Sequence, residues 1–283
     1  MAKPQLTLCI HDQKVINKLF PRFTIWYRFR RDRRLFAAQR MRPTALGFEF
    51  IGVAGMPESR TASGEVDTLR ELLRGRDLFV DVGANCGLYT LIACHADVPV
   101  LAIEPNDLNF RRLQENLVHN RFAKAEALNV ALGEVKGKCL LYGRGEGASL
   151  LKNWGGMAST YAREVDGETL DRLMRSRPSS DRLLIKIDVE GHELAVLAGA
   201  RELLARPTAP AWIMEHSFRE NQEGQINPRF MELFELFWSA GYVCHTFDRD
   251  RRLVTRPDVE RWLTSGIRDY GGVNYLFSRP DSA

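Results

Sequence analysis

The stretch Phe79-Val80-Asp81-Val82-Gly83-Ala84-Asn85-Cys86-Gly87-Leu88-Tyr89 constrains the fold more than any other part of the chain. A short apolar run that passes through glycines into a helical pattern reads as a buried strand, a tight turn and the start of a helix, the opening unit of a mainly parallel α/β sheet. Further strands are predicted over 100–104, 127–132, 182–188 and 211–215, with helix-period segments between them. Phe230, Leu233, Phe234 and Phe237 place a helix over 228–240, ended by Gly241, and two closing strands follow over 242–247 and 273–278. The Gly-, Ser- and Asn-rich stretch 143–162 reads as a long loop.

Gly83 and Gly87 permit a turn that carries backbone N–H groups and a helix N-terminus toward a ligand. Glu104 closes the next predicted strand 21 residues after Gly83, where a carboxylate can accept both hydroxyls of a ribose. Two ligands suit this arrangement, a dinucleotide and S-adenosylmethionine, and an unliganded structural turn is the bland alternative. In the dinucleotide fingerprint the middle glycine lets a pyrophosphate press on the backbone. Here that position is Asn85, which tolerates the left-handed conformation but brings a side chain. S-adenosylmethionine has no phosphate to seat, and Asp81 is available to its ammonium group.

The fourth strand ends Lys186-Ile187-Asp188-Val189-Glu190-Gly191-His192-Glu193, at the sheet edge where open α/β folds bind ligands. If the ligand is S-adenosylmethionine, methyl transfer is an in-line displacement that needs positioning and removal of the acceptor proton. Asp188 and His192 are the candidate catalytic residues, with a helix-entry histidine bonded to backbone as the alternative for His192. The fifth strand ends Glu215-His216, so Asp188 with Glu215 or His216 forms a candidate set for a divalent metal, ranked below a metal-free polar pocket. Trp154, Tyr161 and Tyr89 are candidate walls of an acceptor cavity.

Together, Asp81-Val82-Gly83-Ala84-Asn85-x-Gly87, Glu104-Pro105, Asn129-x-Ala131-Leu132-Gly133 and 186–193 resemble the FkbM-type methyltransferase family over about residues 77–216. The resemblance implies a Rossmann-like class I methyltransferase fold with a mainly parallel seven-stranded sheet and helices on both faces. It also implies S-adenosylmethionine as cofactor and O-methylation of a sugar, glycan or secondary metabolite. Carried over by position, Asp81, Gly83, Ala84, Asn85, Gly87, Tyr89, Glu104, Pro105, Asn106, Asn129, Ala131 and Asp188 are the expected cofactor residues.

Charge divides the chain. Residues 1–60 hold 12 Lys or Arg against 4 Asp or Glu, which leaves 28 against 32 in the remainder of a chain whose net charge is +4. Arg22, Arg28, Arg30, Arg31, Arg33 and Arg34 alternate there with aromatic residues, so residues 1–65 read as a basic-aromatic extension and 66–283 as the methyltransferase domain. The extension suits an amphipathic helix packed on the domain, a membrane surface, or nucleic acid. Five scattered cysteines without a C-x-x-C pair argue against a disulfide framework or a zinc site. No apolar run approaches the ~20 residues of a membrane span, and no secretory signal is evident, so a cytoplasmic address, peripheral to the membrane if the extension binds there, is the expectation. Three other functions compete with O-methylation. A nucleic-acid methyltransferase lacks the expected Asp/Asn-Pro-Pro-Tyr run, a dinucleotide-dependent oxidoreductase must tolerate Asn85, and a non-catalytic cofactor-binding protein would not need Asp188 and His192.

Overall fold

The computed structural model describes residues 39–143, 145–156, 162–175, 177, 182–222 and 224–280. The aromatic and basic cluster between Phe20 and Phe36, with its membrane and nucleic-acid readings, and Tyr161 lie outside the described residues. Residues 41–283 form one compact unit. Among the described residues no helix is long and apolar enough to cross a membrane.

An eight-stranded sheet is the frame. The chain enters through a small ladder, β1 (Arg42–Pro43) against β2 (Glu49–Phe50), and two helices, α1 (Met56–Ala62) and α2 (Glu65–Leu73). It continues with β3 (Leu78–Val82), α3 (Leu88–His95), β4 (Val100–Ile103), α4 (Asp107–His119) and β5 (Ala125–Leu128). A separate three-stranded sheet follows, from β6 (Ala131–Leu132), β7 (Gly137–Tyr142) and β8 (Ala162–Glu168), and then α5 (Leu170–Arg175). The chain returns to the large sheet with β9 (Leu183–Ile187), α6 (Glu193–Ala198), α7 (Arg201–Leu204), β10 (Ala211–Glu215) and α8 (Phe230–Ser239). It closes with β11 (Val243–Thr246), β12 (Leu253–Val254), α9 (Arg256–Ser265) and β13 (Asn274–Ser278).

The order across the large sheet is β12-β11-β13-β10-β9-β3-β4-β5. Neighbours from β10 to β5 are parallel, and β13 runs antiparallel between β10 and β11. The expected seven strands gain an eighth because the two-residue β12 pairs with β11 at the edge. From β3 the chain first builds outward through β4 and β5, then crosses back to β9 on the other side of β3. This reversal opens a crevice at the carboxyl ends of β3 and β9.

Strand periodicity divides the core. Val80, Val82, Ile185, Ile187, Trp212 and Met214 point into one apolar cluster, whereas Phe79, Leu184, Ala211 and Ile213 point into the other. Both faces of these strands are covered, which is why they read as continuous apolar runs rather than alternating ones.

Two differences from the sequence reading bear on the site. The strand expected over 127–132 is two strands: β5 ends at Leu128, and Ala131–Leu132 pairs instead with Gly167 and Glu168 of β8. The stretch 41–64, read as part of the extension, packs with the sheet. Leu46, Phe48 and Phe50 are buried in the cluster that holds Phe79. Asn116 fixes that segment: its Oδ1 accepts from Ile51 N at 2.8 Å while its Nδ2 donates to Ile51 O at 2.9 Å and Cys86 O at 2.7 Å. A fully buried carboxamide thus satisfies three backbone groups and ties the entry segment to the β3–α3 turn.

Candidate functional site

The turn after β3 approaches β9 so closely that only glycine fits at its head. Gly83 has φ +81, and a Cβ there would lie 1.8 Å from the Asp188 carbonyl oxygen. Asn85 takes the left-handed conformation at φ 54, and Gly87 caps α3. Contrary to the expectation of N–H groups free for a ligand, the turn satisfies its own donors. Gly83 N and Ala84 N both donate to Ile103 O, Gly87 N donates to Ala84 O, and Cys86 N donates to the Asn85 side chain. Asn85 N donates to Glu104 Oε2 at 2.9 Å, and Asn106 N donates to Glu104 Oε1 at 2.8 Å.

Glu104 therefore stands between two strand ends with each oxygen held by a backbone N–H. It is 5% exposed, and burial pushes its carboxyl up to about 7 against the opposing pull of those N–H groups. Asn129 donates to Glu104 O at 2.8 Å, and the Asn106 side chain caps α4 by accepting from Leu108 N. Asp81 lies beneath the turn. Its Oδ2 accepts from Thr90 at 2.6 Å, while Oδ1 is buried with no hydrogen-bond partner. Burial raises its carboxyl, opposed by Lys186.

One cleft joins these groups to the carboxylates at the end of β9 and β10. Asp81, Gly83, Ala84, Asn85, Tyr89, Glu104, Pro105, Ala131 and Asp188 all line it. Gly87, Asn106 and Asn129 are absent from its wall: Gly87 caps α3, Asn106 caps α4 and Asn129 bonds the backbone of Glu104. Val130, Leu132, Leu141, Ala148 and Leu150 add an apolar side next to Pro105.

At the far end Lys186 Nζ, 1% exposed, donates to Asp188 Oδ2 at 2.7 Å and sits 4.4 Å from the Tyr89 ring centre. Burial lowers the Lys186 ammonium, but Asp188, Asp81 and Glu215 together hold it above its ordinary range. Burial acts upward on Asp188, and Lys186 reverses it, so this carboxyl stays ionised. Glu215 moves well up, through burial first and the Asp188 charge next, and hydrogen-bonds Asp188. Arg60 and Glu65 complete the surround: Arg60 pairs with Glu65 at 3.1 Å, and the Tyr89 hydroxyl, held neutral by burial, donates to Glu65.

The two histidines lie elsewhere. His216 is buried, stacks on Phe230 with ring centres 5.1 Å apart, and has Nε2 3.2 Å from Phe230 O. Burial drives it down to about 4. It does not join Asp188 and Glu215. Glu190 does, and one oxygen from each of the three carboxylates lies within 4.8 Å of the others. His192 is absent from the cleft wall and faces a separate groove. The physical reason is the turn: Glu190 at φ 54 and Gly191 at φ +93 reverse the chain before His192, so strand alternation no longer sets its direction. Arg60, Glu65 and Glu190 were missed as site residues. Arg60 and Glu65 carry no local signal, whereas Glu190 stood within the motif and was passed over for the histidine.

The fold, with one antiparallel strand inserted near the edge of a parallel sheet and a cleft over the ends of β3, β4 and β9, defines a Rossmann-like class I methyltransferase domain. The chain belongs to the FkbM methyltransferase family, since residues 81–244 match the Methyltransferase FkbM domain. Over 148 residues it is 31% identical to hexuronic acid methyltransferase AglP of Haloferax volcanii, a match covering 51% of this chain and 60% of that protein. The match thus takes in less than two thirds of that relative. Among solved structures, FkbM methyltransferase of Methylobacillus flagellatus is similar at 18% identity and TM-score 0.42, covering 72% of this chain and 44% of that one. A SAM-dependent methyltransferase of Agrobacterium tumefaciens is similar at 12% identity and TM-score 0.45, covering 86% and 70%.

Proposed function

We propose that the protein is an S-adenosylmethionine-dependent O-methyltransferase acting on a sugar hydroxyl, with a uronate-containing acceptor as the class to try first. The observation that carries this reading is the continuity of the cleft, with Glu104 and the Gly83–Asn85 turn at one end and Asp188, Glu190 and Glu215 at the other. The relative's hexuronic acid activity supports the acceptor class.

The residues present suit the cofactor. The unpartnered Oδ1 of Asp81 is a buried acceptor for an ammonium group. Glu104 suits a ribose diol, and the apolar wall beside Pro105 suits an adenine. Every N–H from Gly83 to Gly87 is already bonded within the protein, so a pyrophosphate would meet only the first N–H groups of α3, beside the side chain of Asn85 where the dinucleotide turn has a glycine. When bound, S-adenosylmethionine supplies an electrophilic methyl group.

The protein's part is to hold the acceptor oxygen in line and take its proton. Asp188, kept ionised by Lys186, accepts the hydroxyl's hydrogen bond. The attacking oxygen becomes strongly acidic as its bond to the methyl carbon forms, so a carboxylate of low basicity suffices as base. Glu215, already protonated, spares the acceptor a second negative charge and fixes the Asp188 orientation. A second reading has one observation in its favour. Asp188, Glu190 and Glu215 stand close enough to hold a divalent cation, which would have to displace the Glu215 proton.

Titration with S-adenosylhomocysteine, with NAD and NADP in parallel, tests the cofactor. Micromolar binding of the homocysteine product alone is expected, and binding of a dinucleotide alone would overturn the proposal. Transfer of labelled methyl to uronate oligosaccharides, repeated after exhaustive chelation with and without added magnesium, separates the two readings of the carboxylates. Turnover indifferent to chelator supports the base, and loss restored by magnesium supports the cation.

A further inference from the structure

A second concavity, of about 780 Å³, opens on the other side of Trp154 from the cleft. Its chemistry differs from the acidic reaction end. Asn153, Asn221, Gln222, Gln225 and Asn227 all line it, together with Trp154. Asn227 is committed, donating to Ser217 O and accepting from Arg229 N, and Asn221 donates to Glu190 Oε2 at 3.3 Å. Among the described residues, the side-chain amides of Asn153, Gln222 and Gln225 hold no partner. His192 forms part of the same wall, its ring mostly out of solvent and lowered by burial.

The partition between the two concavities is built rather than incidental. The Trp154 ring sits on the backbone of Gly191, where a Cβ would lie 2.4 Å from the ring. Trp154 Nε1 donates to Glu190 Oε2 at 2.8 Å, and Ser149 Oγ donates to Glu190 O at 2.7 Å. Glu190 thus lines the cleft while two residues of the groove, Trp154 and Asn221, hold its carboxylate. A ligand against Trp154 and Asn221 would adjoin the residues that hold the Glu190 carboxylate.

Neutral carboxamides present a donor and an acceptor on one plane, the complement of a sugar hydroxyl pair in which each oxygen both donates and accepts. An aromatic ring beside them offers a flat face to the C–H side of a pyranose. We propose that this groove is a glycan subsite, which takes the sugar units adjoining the one methylated, so that the acceptor is an oligosaccharide rather than a monosaccharide. The proposal rests on the sugar O-methyltransferase reading.

The test uses the full chain and two series of probes, galacturonate oligomers and maltose-type glucose oligomers, each as monomer, dimer and tetramer. Calorimetric affinity is read in the presence of S-adenosylhomocysteine, whose own binding is titrated beforehand. In at least one series the tetramer should bind about tenfold more tightly than the monomer, the effect of one or two net hydrogen bonds. The double variant Gln222→Ala/Gln225→Ala should return the tetramer to the affinity of the monomer. Binding independent of length in both series, a length effect that survives in the double variant, or no binding by either series at millimolar concentration each overturns the subsite. Failure of the wild-type chain to bind S-adenosylhomocysteine strikes instead at the methyltransferase reading, and the length series still scores the groove.

Discussion

Lys186 Nζ and Asp188 Oδ2 are 2.7 Å apart at the end of β9, and the lysine is 1% exposed. Lys186 also opposes the rise that burial imposes on Asp81, so one ammonium faces two carboxyl groups that the fold places on either side of the crevice. Lys186→Met leaves both uncompensated, and a broken buried pair costs about 3–5 kcal/mol. Urea unfolding should show a loss of that size, with Lys186→Met/Asp188→Asn less destabilised than the sum of the single variants. The Asp188 carboxyl is depressed in the fold and the Lys186 ammonium raised. The pair therefore holds from above the acid range to beyond the ordinary lysine range, and the loss should be no smaller at pH 8 than at pH 6, where the uncompensated carboxyls of the variant can take up protons. A single variant within about 1 kcal/mol of the wild type would show that the pair does not support the fold.

If Glu104 takes the proposed ribose contact, cofactor affinity and stability should respond to pH in opposite directions. Its folded carboxyl titrates near 7, above the ordinary carboxylate range, so between those values the folded chain holds a proton that the unfolded chain has lost. Stability contributed through this group therefore falls as pH rises through that window. A ribose diol donates to the ionised form, so S-adenosylhomocysteine should bind about tenfold more weakly at pH 6 than at pH 8. Glu104→Gln removes both trends while keeping an acceptor for one backbone N–H. Glu104→Ala should also destabilise, by about 1–3 kcal/mol, because Asn85 N and Asn106 N lose their buried acceptor. Affinity independent of pH in the wild type would remove Glu104 from the ribose contact.

Asn116 should matter to stability although it touches no ligand. Asn116→Ala leaves Ile51 N, Ile51 O and Cys86 O without their partner in a buried place. The expected cost is about 2–4 kcal/mol by denaturant unfolding, the penalty of two or three unsatisfied groups. Asn116→Asp, which keeps one acceptor but cannot donate, should fall at least as far. A neutral Asn116→Ala would mean that 42–51 docks on the sheet without this clamp.

What the sequence made legible was local. The β3 turn, the carboxylate closing β4 and the acidic end of β9 are each set by residues within a few positions, and the central strands announce themselves by apolar runs that both core clusters require. Non-local pairing was illegible. Nothing near Ala131 says that it leaves the main sheet for Gly167, and nothing near Arg60 or Glu65 says that they meet Tyr89. His216 shows the same limit from the other side. Placed one residue past Glu215, it looked like a ligand, but Phe230, far along the chain, offers a stacking surface that claims the ring.

His192 and Asp188, alike in sequence as candidate bases, separate in the fold, and kinetics should separate them too. Asp188 lies in the cleft beside Glu190 and Glu215, whereas His192 lines the groove beyond Trp154. With a uronate oligosaccharide as acceptor, Asp188→Asn should lower kcat about 10²–10⁴-fold, the usual weight of a general base. His192→Ala should leave kcat within about threefold and act on KM, because a contact made equally before and during the reaction changes binding alone. A large fall in kcat for His192→Ala, with an unchanged KM and a protein still folded by circular dichroism, would return the base to the histidine and would require the 190–192 turn to rearrange when substrate binds.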